Sequence, residues 1–246
     1  MLKNMIRKGF DSLGISFALK KNLWYLDAFE VQKRIVTADQ PVIFDVGASE
    51  GSVTLKYLEL YPSAIIHAFE PQPESFQQLN NRFSNSGNIY CHNMALAEKS
   101  ELKKFYKTNE EASSSLLPSV QSGSFVDRHT IIAETYEVRS ATLDDYCLDK
   151  GIEYIDILKM DVQGAELQVL KGGEKLLKEN RINLIYAEVW FTEAYAGQPF
   201  YEDIALFLRN FGYRSFGLYN MHWDTKLNGK NLWADAIFIN SKNVDR

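Results

Sequence analysis

The sequence predicts an α/β fold built on a doubly wound, mainly parallel sheet. Short apolar runs rich in β-branched residues recur along the 246-residue chain, and such runs are typical of strands covered on both faces. Helical patterns separate most of these runs, which implies parallel strands joined by right-handed crossovers. A hydrophobic content of 46% is enough for one sizeable core, either in one large domain or in a smaller domain with additions.

Five apolar runs are the predicted parallel strands. In chain order they are PVIFDV, AIIHAF, NIYCHNMAL, YIDILKMDV and INLIYAEV. Helical patterns follow the first, second and fourth runs: SVTLKYLELY, PESFQQLNNRF, which Pro73 opens, and AELQVLKGGEKLLKEN. Toward the C-terminus, YRSFGLYN and LWADAIFIN flank a turn-rich segment, which predicts an antiparallel pair at the edge of the sheet.

Two segments lie outside this alternation. Residues 98–139 lack a helical period, with ELKKFYKT resembling a strand and EASSSLLPSVQSGS a loop, so we predict an insertion over the sheet. Residues 1–40 predict an N-terminal helical extension to a domain formed by residues 41–246. Lysine and arginine surround the apolar positions of residues 1–23. The alternatives for this segment are packing on the domain, contact with a second subunit in a homo-oligomer, and peripheral contact with a membrane.

The charge balance argues against a nucleic-acid partner. The chain has 32 acidic and 27 basic residues and a net charge of -5, so no protein-wide basic field attracts a phosphate backbone. The two cysteines are too few for a disulfide framework, and neither a secretory leader nor a long apolar span is apparent. We therefore expect a cytoplasmic protein.

A turn with two glycines, FDVGASEG, ends the first predicted strand. Ligands of open α/β sheets bind outside the carboxyl ends of the strands, so this turn belongs to a binding crevice. Gly47 and Gly51 allow backbone conformations or close approaches that a side chain would prevent. Their G-x-x-x-G spacing matches neither the dinucleotide fingerprint nor the P-loop, which disfavours a diphosphate ligand. A turn that serves only strand-to-helix packing is the alternative.

An acid follows the second predicted strand, in HAFEP. At this strand end, the carboxylate of Glu70 can accept hydrogen bonds from both hydroxyls of a ribose, although a terminal acid can also be a solvated cap. Together with the glycine turn, Glu70 indicates a nucleoside without a diphosphate. S-adenosylmethionine, a cationic nucleoside with an amino-acid tail, fits both features.

Several motifs together resemble the FkbM-type methyltransferases. They are DVGASEGSVTLKYL, AFEPQPESFQQLNNR, NMALAEKS, SSSLL, ATLDDYC, DILKMDVQGAELQVLKGG and IYAEV, and they cover most of residues 41–189. The resemblance implies a class I methyltransferase, with a seven-stranded, Rossmann-like sheet whose last strand is antiparallel. It also implies S-adenosylmethionine-dependent methyl transfer to a hydroxyl of a small-molecule or glycan acceptor, such as a sugar or a polyketide-type product. Two positions depart from the family, which often has Asn at Ser49 and Glu at Gln163.

The same resemblance implies roles for individual residues. The cofactor turn comprises Asp45, Gly47, Ala48, Ser49 and Gly51, and Glu70 binds the ribose. Asn93, Met94 and Ala95 follow the third strand, where such folds line the adenine; Met94 as plain core is the alternative.

Two acids at neighbouring strand ends are the predicted catalytic residues. Asp161, which is also predicted to contact the cofactor, follows the fourth strand, and Glu188 lies at the end of the fifth, so both face one crevice. An acid there could take the proton of a hydroxyl held in line with the methyl group. Alternatively, Asp161, Gln163 and Glu188 hold a Mg²⁺ ion that acidifies the hydroxyl. In a purely structural alternative, Asp161 caps the following helix.

The acceptor side is predicted in two stretches, residues 110–124 and the residues after Val189, because loops at strand ends carry function. The aromatic side chains in and near this second stretch either pack in the core or stack on a sugar ring; they are Trp190, Phe191, Tyr195, Tyr219, His222 and Trp223. Two other functions stay open: a cofactor-binding module without turnover, and a nicotinamide oxidoreductase, which the missing dinucleotide fingerprint disfavours.

Overall fold

The computed structural model describes residues 23–120, 130–224 and 230–241. The predictions for residues 1–22 and for residues 121–124 fall outside these ranges. Up to Ile35 the described residues form one compact unit, and a second unit begins at Val36. The first unit contains a 3₁₀ turn, Trp24–Leu26, and helix α1, Ala28–Ile35. The Asp27 carboxylate accepts hydrogen bonds from the N–H groups of Phe29 and Glu30, which caps α1.

The second unit is built on a seven-stranded sheet. Its strands are β1 (Val42–Val46), β2 (Ile65–Phe69), β3 (Ile89–His92), β7 (Ile155–Met160), β8 (Ile182–Trp190), β9 (Tyr213–Asp224) and β10 (Lys230–Asn240). Their spatial order is β3-β2-β1-β7-β8-β10-β9. Strand β10 is antiparallel to both neighbours, and the pairs from β3 to β8 are parallel. The predicted mainly parallel sheet with an antiparallel last strand is confirmed.

Helices lie between the strands along the chain. They are α2 (Ser52–Leu60), α3 (Pro73–Phe83), α4 (Leu143–Lys150), α5 (Glu166–Lys171), α6 (Glu174–Lys178) and α7 (Tyr201–Arg209). The single helix predicted over AELQVLKGGEKLLKEN is wrong, because the chain breaks into α5 and α6 at Gly172 and Gly173. A Cβ atom on Gly172 would lie 2.1 Å from the carbonyl oxygen of Ala97, so the backbone of this break packs against the neighbouring loop.

Residues 95–141 contribute a second, three-stranded sheet. Strand β5 (Leu102–Thr108) was predicted, whereas β4 (Ala95–Leu96) and β6 (Ile132–Ala141) were not separate predictions. The spatial order is β4-β6-β5, with β5 and β6 antiparallel. The predicted strand NIYCHNMAL is therefore broken after His92, where the Asn93 side chain donates hydrogen bonds to the carbonyl oxygens of Glu70 and Pro71.

The central strands are fully buried, as their β-branched runs predict. Residues 43–46 of β1 and 157–160 of β7 are covered on both faces of the sheet. Charged groups interrupt this apolar core at adjacent positions, where Asp45 and Lys159 are register partners. Among the described residues, no helix is long and apolar enough to span a membrane.

Candidate active site

The glycine turn after β1 packs against the end of β7. Gly47 has a φ of +75°, and a Cβ atom on it would lie 1.9 Å from the carbonyl oxygen of Asp161. The N–H groups of Gly47 and Ala48 donate to the carbonyl oxygen of Phe69, which ties the turn to the end of β2. Ser49 follows with a φ of 50°, which is rare for a residue with a side chain. Any residue larger than glycine at position 47 would separate the turn from β7.

A buried ion pair supports this turn from below. The Asp45 carboxylate accepts a hydrogen bond of 2.6 Å from the Thr54 hydroxyl and lies 2.9 Å from the Lys159 ammonium. Lys159 also donates to the carbonyl oxygen of Gly47 at 2.8 Å. Burial alone would lower the pKa of Lys159, but the carboxylates of Asp45, Asp161 and Glu70 outweigh it and raise the pKa. Asp45 thus holds the turn in place through Thr54 and Lys159 and does not line the crevice above.

Glu70 points from the end of β2 toward the same turn. One carboxylate oxygen accepts a hydrogen bond from the N–H group of Ser49, and the other accepts one from the N–H group of Gln72, both at 2.8 Å. Burial raises the pKa of Glu70 to about 7, although the two N–H donors and the charge of Lys159 act in the opposite direction. Each oxygen keeps a lone pair that a hydroxyl of a ligand can use.

A cavity opens above these residues, and we call it the Glu70 cavity. The space inside it and in its open mouth is about 690 Å³. Six of the predicted cofactor residues line it: Gly47, Ser49, Glu70, Met94, Ala95 and Asp161. The other four, Asp45, Ala48, Gly51 and Asn93, lie outside the lining. Gly51 instead packs on α3, where a Cβ atom would lie 2.5 Å from the Phe83 ring.

A second cavity, the Trp233 cavity, adjoins the first. Its lining includes Glu110, Ala112 and Ser113 from the predicted acceptor-side loop, together with Glu188. Aromatic rings form another part of its lining. The His222 and Trp233 rings are stacked 4.5 Å apart, and Trp190 lies 5.3 Å from Trp233. Tyr195 also lines the Trp233 cavity, whereas Phe191, Tyr219 and Trp223 do not. Asp161 and Gln163 line both cavities.

The predicted catalytic acids are joined by the side chain of Gln163. Its Nε2 atom donates to Asp161 Oδ1 at 2.8 Å and to Glu188 Oε2 at 2.9 Å. Its Oε1 atom accepts a hydrogen bond of 2.9 Å from the Tyr195 hydroxyl. The structure therefore brings Asp161 and Glu188 to one rim, as the strand order predicted.

Several carboxylates surround Glu188. Burial, followed by the charges of Asp161, Glu166 and Asp235, raises the pKa of Glu188 well above its ordinary value. Glu166 is itself fully buried, and burial raises its pKa to about 7. Its Oε1 atom accepts hydrogen bonds from the N–H groups of Val162 and Gly164, so Glu166 holds the loop before α5. Helix capping by Asp161 is wrong, because α5 begins at Glu166 and has Ala165 at its N-cap.

Comparison with known proteins identifies the family. Residues 45–215 match the methyltransferase FkbM domain. This chain belongs to the FkbM methyltransferase family. It is 30% identical over 182 residues to the 2-O-methyltransferase NoeI of Sinorhizobium fredii, covering 70% of this chain and 73% of that one. It is 27% identical over 194 residues to the 31-O-demethyl-FK506 methyltransferase FkbM of Streptomyces tacrolimicus, covering 70% and 72%. An rRNA methylase structure from Streptococcus thermophilus superposes with a TM-score of 0.46 at 13% identity, covering 87% of this chain and 96% of that one.

The geometry of this FkbM methyltransferase does not fit the alternative in which Asp161, Gln163 and Glu188 hold Mg²⁺. Magnesium takes oxygen ligands, but Gln163 presents its amide nitrogen to both carboxylates. Its amide oxygen faces Tyr195 instead. Within the described ranges, no group of three or more His, Cys, Asp and Glu side chains is arranged to hold a metal ion.

Three residues of the site were not predicted from the sequence as having the roles seen here. Lys159 lies inside an apolar strand, and only its register with Asp45 reveals the ion pair. Trp233 is one aromatic residue in a strand, and its position in the cavity lining, stacked on His222, is not apparent from the sequence. Gln163 was considered as a metal ligand, not as a hydrogen-bond donor. The lysine inside the apolar run YIDILKMDV was the one available signal, since lysine is almost never fully buried without a partner.

Proposed function

We propose that this FkbM methyltransferase uses S-adenosylmethionine to methylate a hydroxyl oxygen of a small cyclic acceptor carrying several hydroxyls, such as a sugar residue or a polyketide-type ring. The observation that supports the proposal best is the junction of two cavities at Asp161 and Gln163. A methyltransferase must bring a donor and an acceptor together at one point, and this junction supplies that point.

The Glu70 cavity fits the cofactor. Glu70 accepts the ribose hydroxyls, the backbone around Gly47 and Ser49 borders the amino-acid tail, and Met94 and Ala95 border the adenine. The support comes from Glu70, whose two oxygens are already oriented by backbone N–H donors and keep lone pairs for a diol. When bound, S-adenosylmethionine supplies a methyl group activated by a positively charged sulfur.

The Trp233 cavity fits the acceptor. The stacked rings of His222 and Trp233 offer a flat apolar face, on which the carbon face of a sugar or macrocycle can pack. The acids that line this cavity can accept hydrogen bonds from the acceptor's hydroxyls. Transfer to oxygen is also supported by the names of two relatives, a 2-O-methyltransferase and a 31-O-demethyl-FK506 methyltransferase.

Asp161 is the proposed proton acceptor. It lines both cavities, so it borders the point where the acceptor hydroxyl meets the methyl group. Glu188 lines the Trp233 cavity but not the Glu70 cavity, so it can orient the acceptor hydroxyl without bordering the cofactor. Asp161 would take the hydroxyl proton as the oxygen bonds to the methyl carbon and the carbon–sulfur bond breaks, which would leave S-adenosylhomocysteine with a neutral sulfur. The charge of Lys159 below the turn would stabilise the negative charge of the site.

Transfer of a labelled methyl group to a panel of sugars and macrocyclic alcohols tests the proposal. We expect product with the unchanged protein, and a loss of about 10²- to 10⁴-fold in turnover in Asp161→Asn with unchanged cofactor affinity. Asp149→Asn, the same change at an exposed position on α4, should keep full activity. Full turnover in Asp161→Asn would exclude Asp161 as the base.

Tighter binding of NAD than of S-adenosylmethionine would favour an oxidoreductase, and cofactor binding without any product would favour a binding module.

A further inference from the structure

Gln163 uses all of its amide hydrogen-bonding groups at the junction of the two cavities. The two hydrogens on Nε2 go to Asp161 Oδ1 and to Glu188 Oε2, at 2.8 and 2.9 Å. The Oε1 atom lies 2.9 Å from the Tyr195 hydroxyl, which shares its one hydrogen between Gln163 and the carbonyl oxygen of Ser113. Rotation of the amide by half a turn would exchange the two Nε2 donors for an oxygen facing Asp161 and Glu188. The orientation of this side chain is thereby fixed.

The backbone of Gln163 is held as firmly as its side chain. Its φ of 54° lies in the left-handed region, which is unfavourable for a residue that is not glycine. The Ser115 hydroxyl donates to the carbonyl oxygen of Gln163 at 2.7 Å. The neighbouring Gly164 also has a positive φ, and a Cβ atom on it would lie 3.1 Å from the Tyr195 ring. Contacts from two other segments thus keep Gln163 in a conformation that the chain would not adopt by itself.

The Gln163 amide lies among several acidic side chains. Four acids interact here: Asp161, Glu166, Glu188 and Asp235. The charge of Asp161 raises the pKa of the other three, and the charges of Glu166 and Asp235 also raise the pKa of Glu188. Lys159 lowers the pKa of Glu188 and Asp235, but its ammonium group is committed to Asp45 and to a backbone carbonyl oxygen. Enzymes that hold paired carboxylates at one point often place a divalent cation between them.

We propose that Gln163 is a positioning residue that takes the place of such a cation: its two amide hydrogens hold Asp161 and Glu188 side by side, so that methyl transfer runs without a metal ion. The inference rests on the proposed function for its catalytic part. Its structural part, an amide where a cation would otherwise bind, is independent of the acceptor. Replacement of the amide by a third carboxylate should therefore both disturb catalysis and create a cation site.

Binding of Mn²⁺, followed by its paramagnetic resonance signal, tests the structural part with no acceptor present. We expect the unchanged protein to leave the signal of free Mn²⁺ unaltered, and Gln163→Glu to bind the ion through its three adjacent carboxylates. Gln163→Met removes the donor without adding an oxygen ligand and should not bind Mn²⁺. Gln78→Glu, the same chemical change on the exposed face of α3, is the matched control and should also leave the signal unaltered.

Activity measurements test the catalytic part. EDTA should leave the turnover of the unchanged protein intact. Both Gln163 variants should keep their cofactor affinity and lose about 10- to 100-fold in turnover. In Gln163→Glu the acid side of the pH–rate profile should also move upward by about one unit or more, because a third carboxylate raises the pKa of its neighbours. A residue with only a structural role would lower the amount of folded protein without moving this profile.

Three results would overturn the inference. They are Mn²⁺ binding at this site in the unchanged protein, loss of activity in EDTA that Mg²⁺ restores, and a turnover and pH profile in both folded Gln163 variants equal to those of the unchanged protein. If Gln163→Glu does not fold, the inference is still tested by Mn²⁺ binding to the unchanged protein, by the effect of EDTA on its activity, and by the turnover of Gln163→Met. Absence of methyl transfer to every acceptor would contradict the proposed function instead, and the Mn²⁺ measurement would still test the amide.

Discussion

Glu70 and Glu166 are two buried carboxylates with the same elevated pKa and different uses. Burial raises the pKa of each to about 7. Glu70 lines a cavity and has an N–H donor on each oxygen, which leaves both oxygens oriented toward a ligand. One oxygen of Glu166 accepts hydrogen bonds from the loop before α5, and its other oxygen has no hydrogen-bond partner among the described residues. Position relative to the cavity, more than the pKa itself, separates a ligand-binding acid from a loop-holding one.

Cofactor affinity should depend on pH through Glu70. Ribose hydroxyls donate to its carboxylate, so bound cofactor favours the ionised form and lowers the pKa from about 7. Binding then releases a proton below that pKa, and affinity should rise with pH, by about tenfold between pH 6 and pH 8, before levelling off. Titration calorimetry with S-adenosylmethionine at several pH values measures this.

The variant Glu70→Ala provides the comparison. It should weaken cofactor binding by about 1.5–3 kcal/mol at pH 8, the scale of hydrogen bonds to a charged group, and should remove this part of the pH dependence. Glu59→Ala is the matched control, since it makes the same change at an exposed position on α2 and should leave the affinity unaltered. A folded Glu70→Ala protein with unchanged affinity would exclude Glu70 from the ribose site.

At the scale of elements, the break between α5 and α6 depends on close backbone packing. Gly172 has an ordinary right-handed conformation, so conformational freedom is not the reason for glycine there. A Cβ atom would lie 2.1 Å from the carbonyl oxygen of Ala97 and 3.4 Å from the N–H nitrogen of Leu143. The start of α4 and the strand β4 region are therefore positioned against this glycine.

We expect Gly172→Ala to lower the free energy of unfolding by about 1–3 kcal/mol, because overpacked backbone must shift. Gly87→Ala is the matched control, since a Cβ atom at Gly87 would meet nothing within 4 Å, and it should change stability by less than about 0.5 kcal/mol. Urea unfolding of both variants gives the two numbers. Equal stability of the two variants would mean that the loop carrying Ala97 yields without cost.

The central strands could be predicted from the sequence, whereas β6 and α4 could not. Buried strands such as β7 give uninterrupted apolar runs. Strand β6 is mostly exposed, so its sequence IAETYEVRSA carries no clear apolar face. Helix α4 has eight residues and buries Leu143, Tyr146 and Cys147, which are too few for a readable helical period. Elements that bury little surface leave little pattern in the sequence.

Some residues of the site could be predicted from the sequence in the same way, and some of its contacts could not. Acids at strand ends follow directly from strand order, which is why Asp161 and Glu188 could be expected at one rim. The Asp45–Lys159 ion pair depends on the register between β1 and β7, and the Gln163 amide on a left-handed turn. Neither register nor turn conformation is encoded by local composition, so these contacts become visible only once the strands are paired.

At the scale of the whole second unit, the parallel sheet supplies the floor of the site and the added segments supply its walls. Residues from the three-stranded sheet and the adjoining loop, Ala95, Phe105 and Ser115, line the Glu70 cavity. The antiparallel edge pair contributes His222 from β9 and Trp233 from β10 to the Trp233 cavity. The cofactor side thus lies toward the first half of the sheet, and acceptor selection is assigned to its C-terminal edge.

We expect the catalytic unit to begin at Val36. The strands of the seven-stranded sheet and the residues lining both cavities belong to the unit that begins at Val36, so a chain of residues 36–246 should fold and bind S-adenosylmethionine as the full chain does. A chain of residues 41–246 should be less stable by about 1.5–3 kcal/mol, because it lacks the buried Val36 side chain and the carbonyl oxygen of Asp39 that accepts from the Ser63 hydroxyl. Thermal unfolding of the three chains, with cofactor titration on each, measures both effects. Equal stability of the two shortened chains would move the boundary to residue 41, and loss of cofactor binding in both would make residues 1–35 part of the functional unit.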